Sequence, residues 1–529
     1  MNRKELATQA FLECCNPDNI IRSGKRGTAP FWNIESKQFM YIPSFYFTGI
    51  PNCSKYRYDA VDESGTIHSF VAEDCDVALT PIWAKLPEGV VRLTVTAVNP
   101  DGSDYALVGA RTFFKLASFP ESTPEAKCSY AECVEKAYHF IMSQSFVQHW
   151  LKYSKPDPAY DLNTYPSKMV SALVEAMINF SKLYPEAKED SMKIAVNAAD
   201  WLMDITPRGN HPLADIPPTY YLDFCPDAEK YGIVTPNYEK ALLYQGTVMM
   251  IYPAAAGSMY LHMAAETGEK KYFDEALKIG NYYLNHVENN GSWYLVRSEA
   301  TGEPIANNFV APMEIVVPFL TGLYEYTGDK VWKDLFEGAI KYVEETQWID
   351  YNWEGQFEDI GVSSRYYNLT QYGPVALAKY YLKYQRNELE YIEAAKELMR
   401  FAEDQFIIWN REMPWRIPSE SSLESDETSP KWHTPSALEQ YHCYVPIDGS
   451  VSHIASGFLS MYEAGCGEIY LAKARALADQ ITRMQYENGK IPTFWIDSPQ
   501  DRSNFWLNCM FSSCDILIKL SKYEHIKFE

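Results

Sequence analysis

The sequence lacks the features that mark several common classes of protein. It has no run of about 18 apolar residues, the length that a membrane-spanning helix needs. The N-terminus carries two cations, but no apolar stretch follows them, so no export signal is visible. We therefore expect no membrane span, and a cytoplasmic protein unless a leader has been removed.

Motifs of several enzyme classes are also missing. There is no G-x-S-x-G elbow of the serine hydrolases, no phosphate-binding loop and no dinucleotide fingerprint. The 11 cysteines form no C-x-x-C pairs, and we interpret them as reduced thiols in a reducing compartment. His433, His442, Cys443 and His453 match no compact zinc pattern, so we expect neither a metal nor a cofactor.

Basic residues are few relative to acids. The chain has 47 lysines and arginines against 70 aspartates and glutamates, which gives a net charge of −23. This charge repels nucleic acids and anionic membrane surfaces, so we expect neither as a partner. A small acidic sugar remains compatible with it, because one arginine can outweigh the average field at contact range. The sequence does not determine the oligomeric state.

Aromatic residues are abundant, at 15% of the chain, and include 39 tyrosines and 13 tryptophans. Many lie in predicted loops and not on the faces of predicted helices. Aromatic rings stack on the C–H faces of sugars, so loop aromatics near carboxylates favour a sugar-binding cleft. Packing in the core is the competing interpretation for any single ring.

The first 117 residues divide into two parts. Residues 1–36 are mixed in character, and we expect them to pack on the rest of the protein. Between residues 37 and 117 the apolar residues alternate, most clearly in Val90–Val98, which a turn sequence follows. Further short strands are predicted at Tyr56–Tyr58, Thr66–Ala72, Val77–Trp83 and Tyr105–Phe114. The pattern predicts a small β-sandwich.

One segment of this sandwich resembles fibronectin type III-like modules. Trp83–Gly89 contains a tryptophan, a leucine, a proline and a glycine, and it leads into Val90–Val98 and then Asp101-Gly102. This succession is similar to that of such modules where they precede carbohydrate-active domains. The resemblance implies a module that supports a catalytic domain.

Residues 126–529 change to the periodicity of helices. We predict twelve helices that begin near residues 130, 165, 188, 240, 270, 310, 330, 369, 388, 448, 468 and 504. A constant offset of 59 residues aligns Phe273, Trp332 and Tyr391 in three of them. A helical hairpin cannot bury its apolar face alone, so we expect the repeated hairpins to stack on one another.

The links between these helices alternate between short and long. In a ring of hairpins all the long links fall at one end, where their aromatic and acidic residues are expected to form a binding mouth. Six hairpins predict an (α/α)6 toroid, with an open solenoid as the alternative if the last helix does not pair with the first. Tyr130 to Leu520 thus resembles the six-hairpin glycosidase-like group, which includes glycoside hydrolases, uronide hydrolases, polysaccharide lyases and epimerases. The resemblance is architectural and assigns no catalytic residue.

Glycosidic cleavage needs an acid to protonate the leaving oxygen and a second carboxylate to activate water or attack the sugar. The long link between Asp350 and Tyr367 contains Glu354, Glu358 and Asp359, whose mutual repulsion raises their pKa values. Glu358 or Asp359 is therefore our first candidate for the acid or base. A solvated acidic loop or a helix cap is the competing interpretation.

Two further catalytic candidates lie at predicted helix starts. Asp448 directly precedes the helix that carries His453, where an N-cap is the competing interpretation. Glu314 begins an otherwise apolar helix candidate, where a buried carboxylate is costly unless it is paired or functional. Acids of second rank, which we interpret as loop residues, are Asp223, Asp227, Asp497 and Asp501.

Candidate substrate-binding residues lie near these acids in the chain. The rings that we expect to stack on a sugar are Trp353, Tyr366, Trp415, Trp432 and Tyr441. His433 and His442 lie among them, and Arg365 or Arg416 can pair with a uronic carboxylate.

These patterns favour a glycoside hydrolase that acts on an oligosaccharide or a polysaccharide fragment. The first alternative is a polysaccharide lyase or uronate epimerase, in which Tyr366, Tyr367, His433 or His442 moves a proton and Arg365 stabilises the developing charge. The second alternative is a toroid that binds a glycan or a protein without turnover. The sugar, the linkage and the stereochemistry of the reaction cannot be predicted from the sequence.

Overall fold

The computed structural model describes residues 1–21, 36–355, 368–385, 388–412, 431–441, 444–497 and 506–528. Ten of the residues singled out above lie outside these ranges: Glu358, Asp359, Arg365, Tyr366, Tyr367, Trp415, Arg416, His442, Cys443 and Asp501. The backbone of Glu314 is described, but its side chain is not.

The N-terminal part contains one helix followed by two packed layers of strands. The helix, α1 (Arg3–Cys14), packs on a ring helix through buried Leu6, Ala10 and Cys14. The strands are β1 (Gln38–Phe39), β2 (Ser44–Tyr46), β3 (Tyr56–Val61), β4 (Ile67–Ala72), β5 (Asp76–Ala78), β6 (Gly89–Val98) and β7 (Asp104–Lys115). Five of them form a sheet in the order β1-β7-β6-β3-β4, and β2 pairs with β5.

The smaller sheet covers one face of the larger one. Phe45 of β2 contacts Phe113 of β7, with ring centroids 6.1 Å apart. The predicted small β-sandwich is therefore present, while its likeness to a fibronectin type III module stays a prediction. The predicted strand Val77–Trp83 was wrong in its second half, because a short helix, α2 (Thr80–Trp83), begins there with Pro81 in its first turn.

Twelve of the described helices form two concentric layers. The inner helices are α5 (Pro166–Leu183), α8 (Tyr252–Thr267), α10 (Met313–Thr327), α13 (Tyr372–Tyr384), α15 (Asp448–Glu463) and α17 (Leu507–Ser521). The outer helices are α3 (Tyr130–Ser143), α6 (Lys188–Ile205), α9 (Lys270–Asn285), α11 (Lys330–Glu345), α14 (Leu389–Phe406) and α16 (Glu468–Met484). Short elements in the connections are α4 (Ser145–Lys152), α7 (Pro236–Tyr244), α12 (Gln347–Asp350), β8 (Thr247–Met249), β9 (Tyr294–Ser298), β10 (Pro304–Val310), β11 (Ile407–Ile408) and β12 (Ser436–Ala437).

The ring is closed by the two ends of the helical region. Each inner helix packs against an outer helix and against the inner helices on both sides of it. The last inner helix, α17, packs against the first outer helix, α3, and against α5. The protein is therefore an (α/α)6 toroid of the six-hairpin glycosidase-like type, and the open solenoid is excluded.

Short links lead from inner to outer helices, and long connections lead from outer to inner helices. Gly268 and Gly328 end α8 and α10 with φ of 72° and 68°, a left-handed conformation that glycine adopts at little cost. Because every long connection enters an inner helix at its N-terminus, all six inner helices begin at the same end of the ring. We call this end the mouth.

The predicted helix starts agree with the structure to within three residues, with one exception. The ring helix predicted near residue 240 begins at Tyr252, and α7 at Pro236 is a short extra helix in the connection. Thr235 caps α7 by accepting the N–H of Tyr238, whereas α8 starts without a side-chain cap. The stronger start signal therefore belonged to the shorter helix. The aligned residues of the 59-residue repeat lie near the starts of α9, α11 and α14.

Buried polar contacts join the strands to the ring through α14. The carboxylate of Asp404 accepts the backbone N–H groups of Met40 and Tyr41, the latter at 2.7 Å. Beside it, Glu403 forms an ion pair of 2.7 Å with Lys473 of α16, and both side chains are buried. The hydroxyl of Tyr41 donates to the same Glu403 carboxylate at 3.2 Å, so this buried group links the strands to both helices.

No helix in the described ranges combines the length and the apolar character that crossing a bilayer requires.

Candidate active site at the mouth of the ring

The residues on either side of the segment 356–367, which contains Glu358 and Asp359, form a hydrogen-bonded stem. On one side of the stem lie Trp353 and Gly355, and on the other lie Asn368 and Thr370. The N–H of Gly355 donates to Asn368 at 2.7 Å, and the N–H of Thr370 donates to Trp353 at 2.9 Å. The stem enters the first turn of α13, so both ends of the acidic segment are held at the mouth.

The stem is continuous with other connections of the mouth. The N–H of Tyr441 donates to Leu369 at 2.9 Å, which joins the α14–α15 connection to the stem. Isolated bridges then join Leu438 to Pro446 and Ile447 to Phe494, so the α16–α17 connection also takes part. We call these joined segments (353–355, 368–370, 431–433, 438–441, 444–447 and 493–497) the bridged wall. All the candidates outside the described ranges lie in segments that begin or end on this wall.

The Asn368 side chain holds the stem internally. Its amide N–H groups donate to the carbonyl of Gly355 at 3.0 Å and to Oε1 of Gln440 at 3.1 Å, and the residue is buried. Buried polar groups cost free energy unless they are hydrogen-bonded, so this amide selects one geometry for the stem.

A second wall of the mouth consists of the sheet β8–β9–β10, helix α7 and the residues that precede α5 and α17. The Nζ atom of Lys168 lies 4.2 Å from the ring centroid of Trp506, and Tyr165 packs against Trp506 at 5.9 Å. Asp223 and Asp227 are exposed in the connection that leads to this wall. After β9, Glu299 is half-buried, and burial raises the pKa of its carboxyl.

Asp448 does not face the mouth. Its side chain is fully buried, its Oδ1 accepts the N–H of Gly449 at 2.8 Å, and its Oδ2 lies 3.5 Å from the hydroxyl of Ser513 on α17. Burial raises the pKa of this carboxyl well above its ordinary value. The carboxyl is enclosed between α15 and α17, where it can hold the start of α15 in place.

Three of the predicted stacking rings are packed inside the protein. Trp353 and Trp432 are buried in the bridged wall, and Tyr441 donates its hydroxyl hydrogen to Oε1 of Gln405. In this arrangement their rings contact protein and present no open face to the mouth. Aromatic residues in a loop do not reveal from sequence alone whether they face the solvent or the core.

His433 and Asp497 form an exposed pair on the bridged wall. Nε2 of His433 lies 2.8 Å from Oδ1 of Asp497, and the side chains are 38% and 66% exposed. The bridge between Trp432 and Ile496 sets this distance. A carboxylate that holds one imidazole nitrogen leaves the other nitrogen free to take or give a proton.

Below the mouth, the inner helices enclose a polar bore. Outer helices cover each inner helix from outside, so the residues of an inner helix that remain accessible face the bore. On α5 the accessible residues follow helical spacing: Lys168, Ala172, Glu175, Asn179 and Lys182. The corresponding residues are Tyr372, Ala376, Lys379 and Lys383 on α13, and His453, Ser456 and Ser460 on α15.

Two bore residues have strongly shifted pKa values. Burial, reinforced by Lys519, lowers the pKa of Lys379 to about 8. Burial and the nearby Lys379 lower the pKa of His453 to about 3, so this ring is neutral. His453 lies 4.5 Å from the ring of Tyr372, and its Nε2 is 3.3 Å from the Tyr372 carbonyl. Within the described residues, no group of three or more histidine, cysteine, aspartate or glutamate side chains is placed to hold a metal ion.

Several of these residues escaped the sequence analysis for identifiable reasons. Lys379 and Ser456 lie in the middle of helices, and only the closure of the ring shows that they face a common bore. Glu299 follows a strand that the helical periodicity concealed. Trp506 directly precedes a helix, and its position next to Lys168 depends on the meeting of α5 and α17.

Comparisons with known proteins found similar solved structures but no similar sequence or family. Neither the protein-family models nor the curated protein sequences gave a match. Among solved structures, a family 76 glycoside hydrolase from a bovine Bacteroides thetaiotaomicron strain is 11% identical, with 89% of this chain and 93% of that chain covered and a TM-score of 0.43. A cellobiose 2-epimerase from Spirochaeta thermophila is 11% identical, with 74% and 98% covered and a TM-score of 0.48. A sugar epimerase from a ruminal bacterium is 8% identical, with 74% and 99% covered and a TM-score of 0.49.

Proposed function

We propose that the protein is a carbohydrate-active enzyme that works at the mouth of the ring, and that it is a glycoside hydrolase acting on an oligosaccharide. One observation carries this proposal. The bridged wall joins the ends of the segments 356–367, 413–430 and 498–505 at the starts of α13, α15 and α17. We infer that the acids and rings singled out in those segments act at this opening.

The proposed chemistry is general acid and base catalysis by carboxyl groups. Glu358 or Asp359 supplies one carboxyl from the acidic segment. Glu314 belongs to the first turn of α10 at the mouth, and Glu299 supplies a half-buried carboxyl whose pKa is raised by burial, the direction that a proton donor requires. Asp448, enclosed between two inner helices, positions the start of α15 in this scheme and does not exchange a proton with the substrate.

The His433–Asp497 pair favours a second candidate function, epimerisation or lyase cleavage of a sugar. Both reactions remove a proton from carbon beside a carbonyl or carboxyl group, which requires an accessible and oriented base. The exposed imidazole of His433, held by the carboxylate of Asp497 at 2.8 Å, supplies such a group. Because the pair and the stem of the acidic segment lie on the same wall, both candidate functions use the same mouth.

A substrate screen tests the proposal and separates the candidates. The purified protein is incubated with neutral and uronic-acid oligosaccharides while reducing ends, ultraviolet absorbance and epimer composition are followed together. New reducing ends without absorbance support the hydrolase. Absorbance that rises with the reducing ends supports the lyase, and a changed epimer ratio without cleavage supports the epimerase. Binding of sugars without any of these changes would overturn the proposal in favour of a glycan-binding toroid.

A further inference from the structure

The bore contains one ammonium group that the acids of the ring leave without a counter-charge. Lys379 faces the bore from α13, and its Nζ atom donates to Oγ of Ser456 on α15 at 3.1 Å. Ser456 uses its own hydrogen in a bond to the His453 carbonyl at 2.7 Å. The Lys379 ammonium therefore keeps two N–H donors that have no acceptor among the described residues.

The other described lysines of the bore below the first turn are paired with carboxylates. Their pairs are Lys182 with Glu266 at 2.8 Å, Lys383 with Glu325 at 2.7 Å, Lys519 with Asp515 at 2.6 Å, and Lys522 with Glu463 at 2.8 Å. Asp515 faces the same part of the bore as Lys379, but its carboxylate is engaged by Lys519. Among the described lysines below the first turn, Lys379 is thus the exception.

The described neighbours of Lys379 supply no further counter-ion. His453 lies one turn before Ser456 on α15, and its neutral ring packs on the ring of Tyr372 while its Nε2 lies 3.3 Å from the Tyr372 carbonyl oxygen. Lys379, His453 and Ser456 are all partly accessible, so the bore has room beside the ammonium. A desolvated cation with free donors and open space next to it is suited to an oxyanion that arrives with a ligand.

We propose that Lys379 anchors an oxyanion subsite in the bore, which takes the carboxylate or phosphate group of an acidic sugar whose other end lies at the mouth. Tyr372 begins α13 at the mouth, and Lys379 follows it by seven residues along the helix, which places Lys379 about 10 Å below the mouth. This depth is about the length of a disaccharide. The identification of the ligand as a sugar rests on the proposed function, whereas the oxyanion subsite does not.

Calorimetric binding measurements test the subsite with four probes: glucuronate, glucose 6-phosphate, inorganic phosphate and glucose. We expect at least one oxyanion probe to bind more tightly than glucose. Whichever of glucuronate and glucose 6-phosphate binds more tightly shows whether the subsite prefers a carboxylate or a phosphate group. Lys379→Met should weaken that binding by about tenfold or more, because it removes a charge-assisted hydrogen bond. Lys383→Met is the matched control, since it removes a bore lysine that already has a carboxylate, and it should bind as the unchanged protein does.

A second measurement keeps the inference testable if Lys379→Met fails to fold. Acetylation of Lys379 in the unchanged protein, followed by mass spectrometry, should slow when the preferred probe is present, while acetylation of Lys383 should not. Equal binding of glucose and all three oxyanion probes, or undiminished binding in a folded Lys379→Met variant, would overturn the inference. If phosphate binds at Lys379 but no sugar is bound or converted, the subsite stands and the proposed function fails.

Discussion

The carboxylate of Asp404 on α14 accepts the backbone N–H of Tyr41 at 2.7 Å, which attaches the first strand of the sandwich to the ring. Asp404 is fully buried and also accepts the N–H of Met40. The attachment therefore depends on one carboxyl group that cannot exchange its hydrogen bonds for water. Burial raises the pKa of Asp404 to about 7.

This pKa predicts how the stability of the protein depends on pH. In the unfolded chain the carboxyl titrates near pH 4, so between about pH 4 and 7 the folded state binds more protons than the unfolded state. The contribution of Asp404 is thus fully present below about pH 4 and is lost as the pH rises towards 7, with a slope that approaches about 1.4 kcal/mol per pH unit. Denaturant unfolding at several pH values measures it, and Asp404→Asn should lack this part of the slope. A variant with the same pH dependence as the unchanged protein would contradict the prediction.

Asn368 provides a prediction about the stem of the acidic segment. Asn368→Ala leaves the Gly355 carbonyl and the Gln440 amide without their partner, so we expect a loss of about 1–3 kcal/mol in the free energy of unfolding. Because the stem positions the segment that carries Glu358, kcat/KM should also fall at temperatures where the variant is fully folded. Asn197→Ala is the control, since it removes an amide of the outer helix α6, away from the mouth, which donates to the Trp150 carbonyl at 2.6 Å. A loss of activity of equal size in both variants would mean that the stem has no specific role.

The carboxyl candidates are expected to differ sharply on conversion to amides. Glu358→Gln removes an acid or base of the proposed hydrolase, and kcat should fall by about 100-fold or more with little change in thermal stability. If the carboxyl of Glu299 is the proton donor, the activity of the unchanged protein falls as the pH rises and this group loses its proton. Glu299→Gln should remove that fall from the pH profile of activity. Asp448→Asn keeps the shape of a buried group that does not reach the mouth, so activity should remain within a few-fold. A large loss in Asp448→Asn together with an active Glu358→Gln would reverse these assignments.

The titration of Lys379 predicts the pH dependence of oxyanion binding in the bore. Its pKa of about 8 means that the ammonium loses its proton as the pH is raised from about 7 to about 9, so the affinity for glucuronate or phosphate should fall over that interval. The groups that face it are Tyr372 on its own helix, the neutral His453 on α15, and the Asp515–Lys519 pair on α17. Binding in Lys383→Met should show the same decline, while a folded Lys379→Met protein should show weak binding at every pH. An affinity that stays constant to pH 9 would exclude Lys379 as the charged anchor.

Much of the fold follows from local signals in the sequence. Helix starts at Tyr130, Lys330 and Asp448 could be predicted because the chain changes there from turn residues to apolar residues at helical spacing. Closure of the ring could not, since it depends on a contact between α17 and α3 that no local pattern encodes. The start of α8 was missed for a related reason, because Thr235 and Pro236 mark the beginning of the shorter helix α7 more strongly.

The site was harder to predict than the fold. The sequence showed that acids and aromatic rings collect in the long connections, and the structure places those connections together at the mouth. It did not show which rings are buried. Trp353 and Trp432 cannot be told from other loop aromatics in the sequence, because their burial depends on backbone bridges between distant segments. It also could not single out Lys379, since an apolar helix with two lysines is compatible with an outer surface. The role of the acids in the segment 356–367 stays a prediction.

The pairing of α17 with α3 has a consequence for the order in which the protein is made. During synthesis α3 is made early and α17 late, so part of the apolar face of α3 stays uncovered while the other hairpins are made. Uncovered apolar surface can bind chaperones or other nascent chains. The seam between α3 and α17 is therefore the place where newly synthesised rings of this protein are most open to incorrect partners, including the α17 of a neighbouring copy.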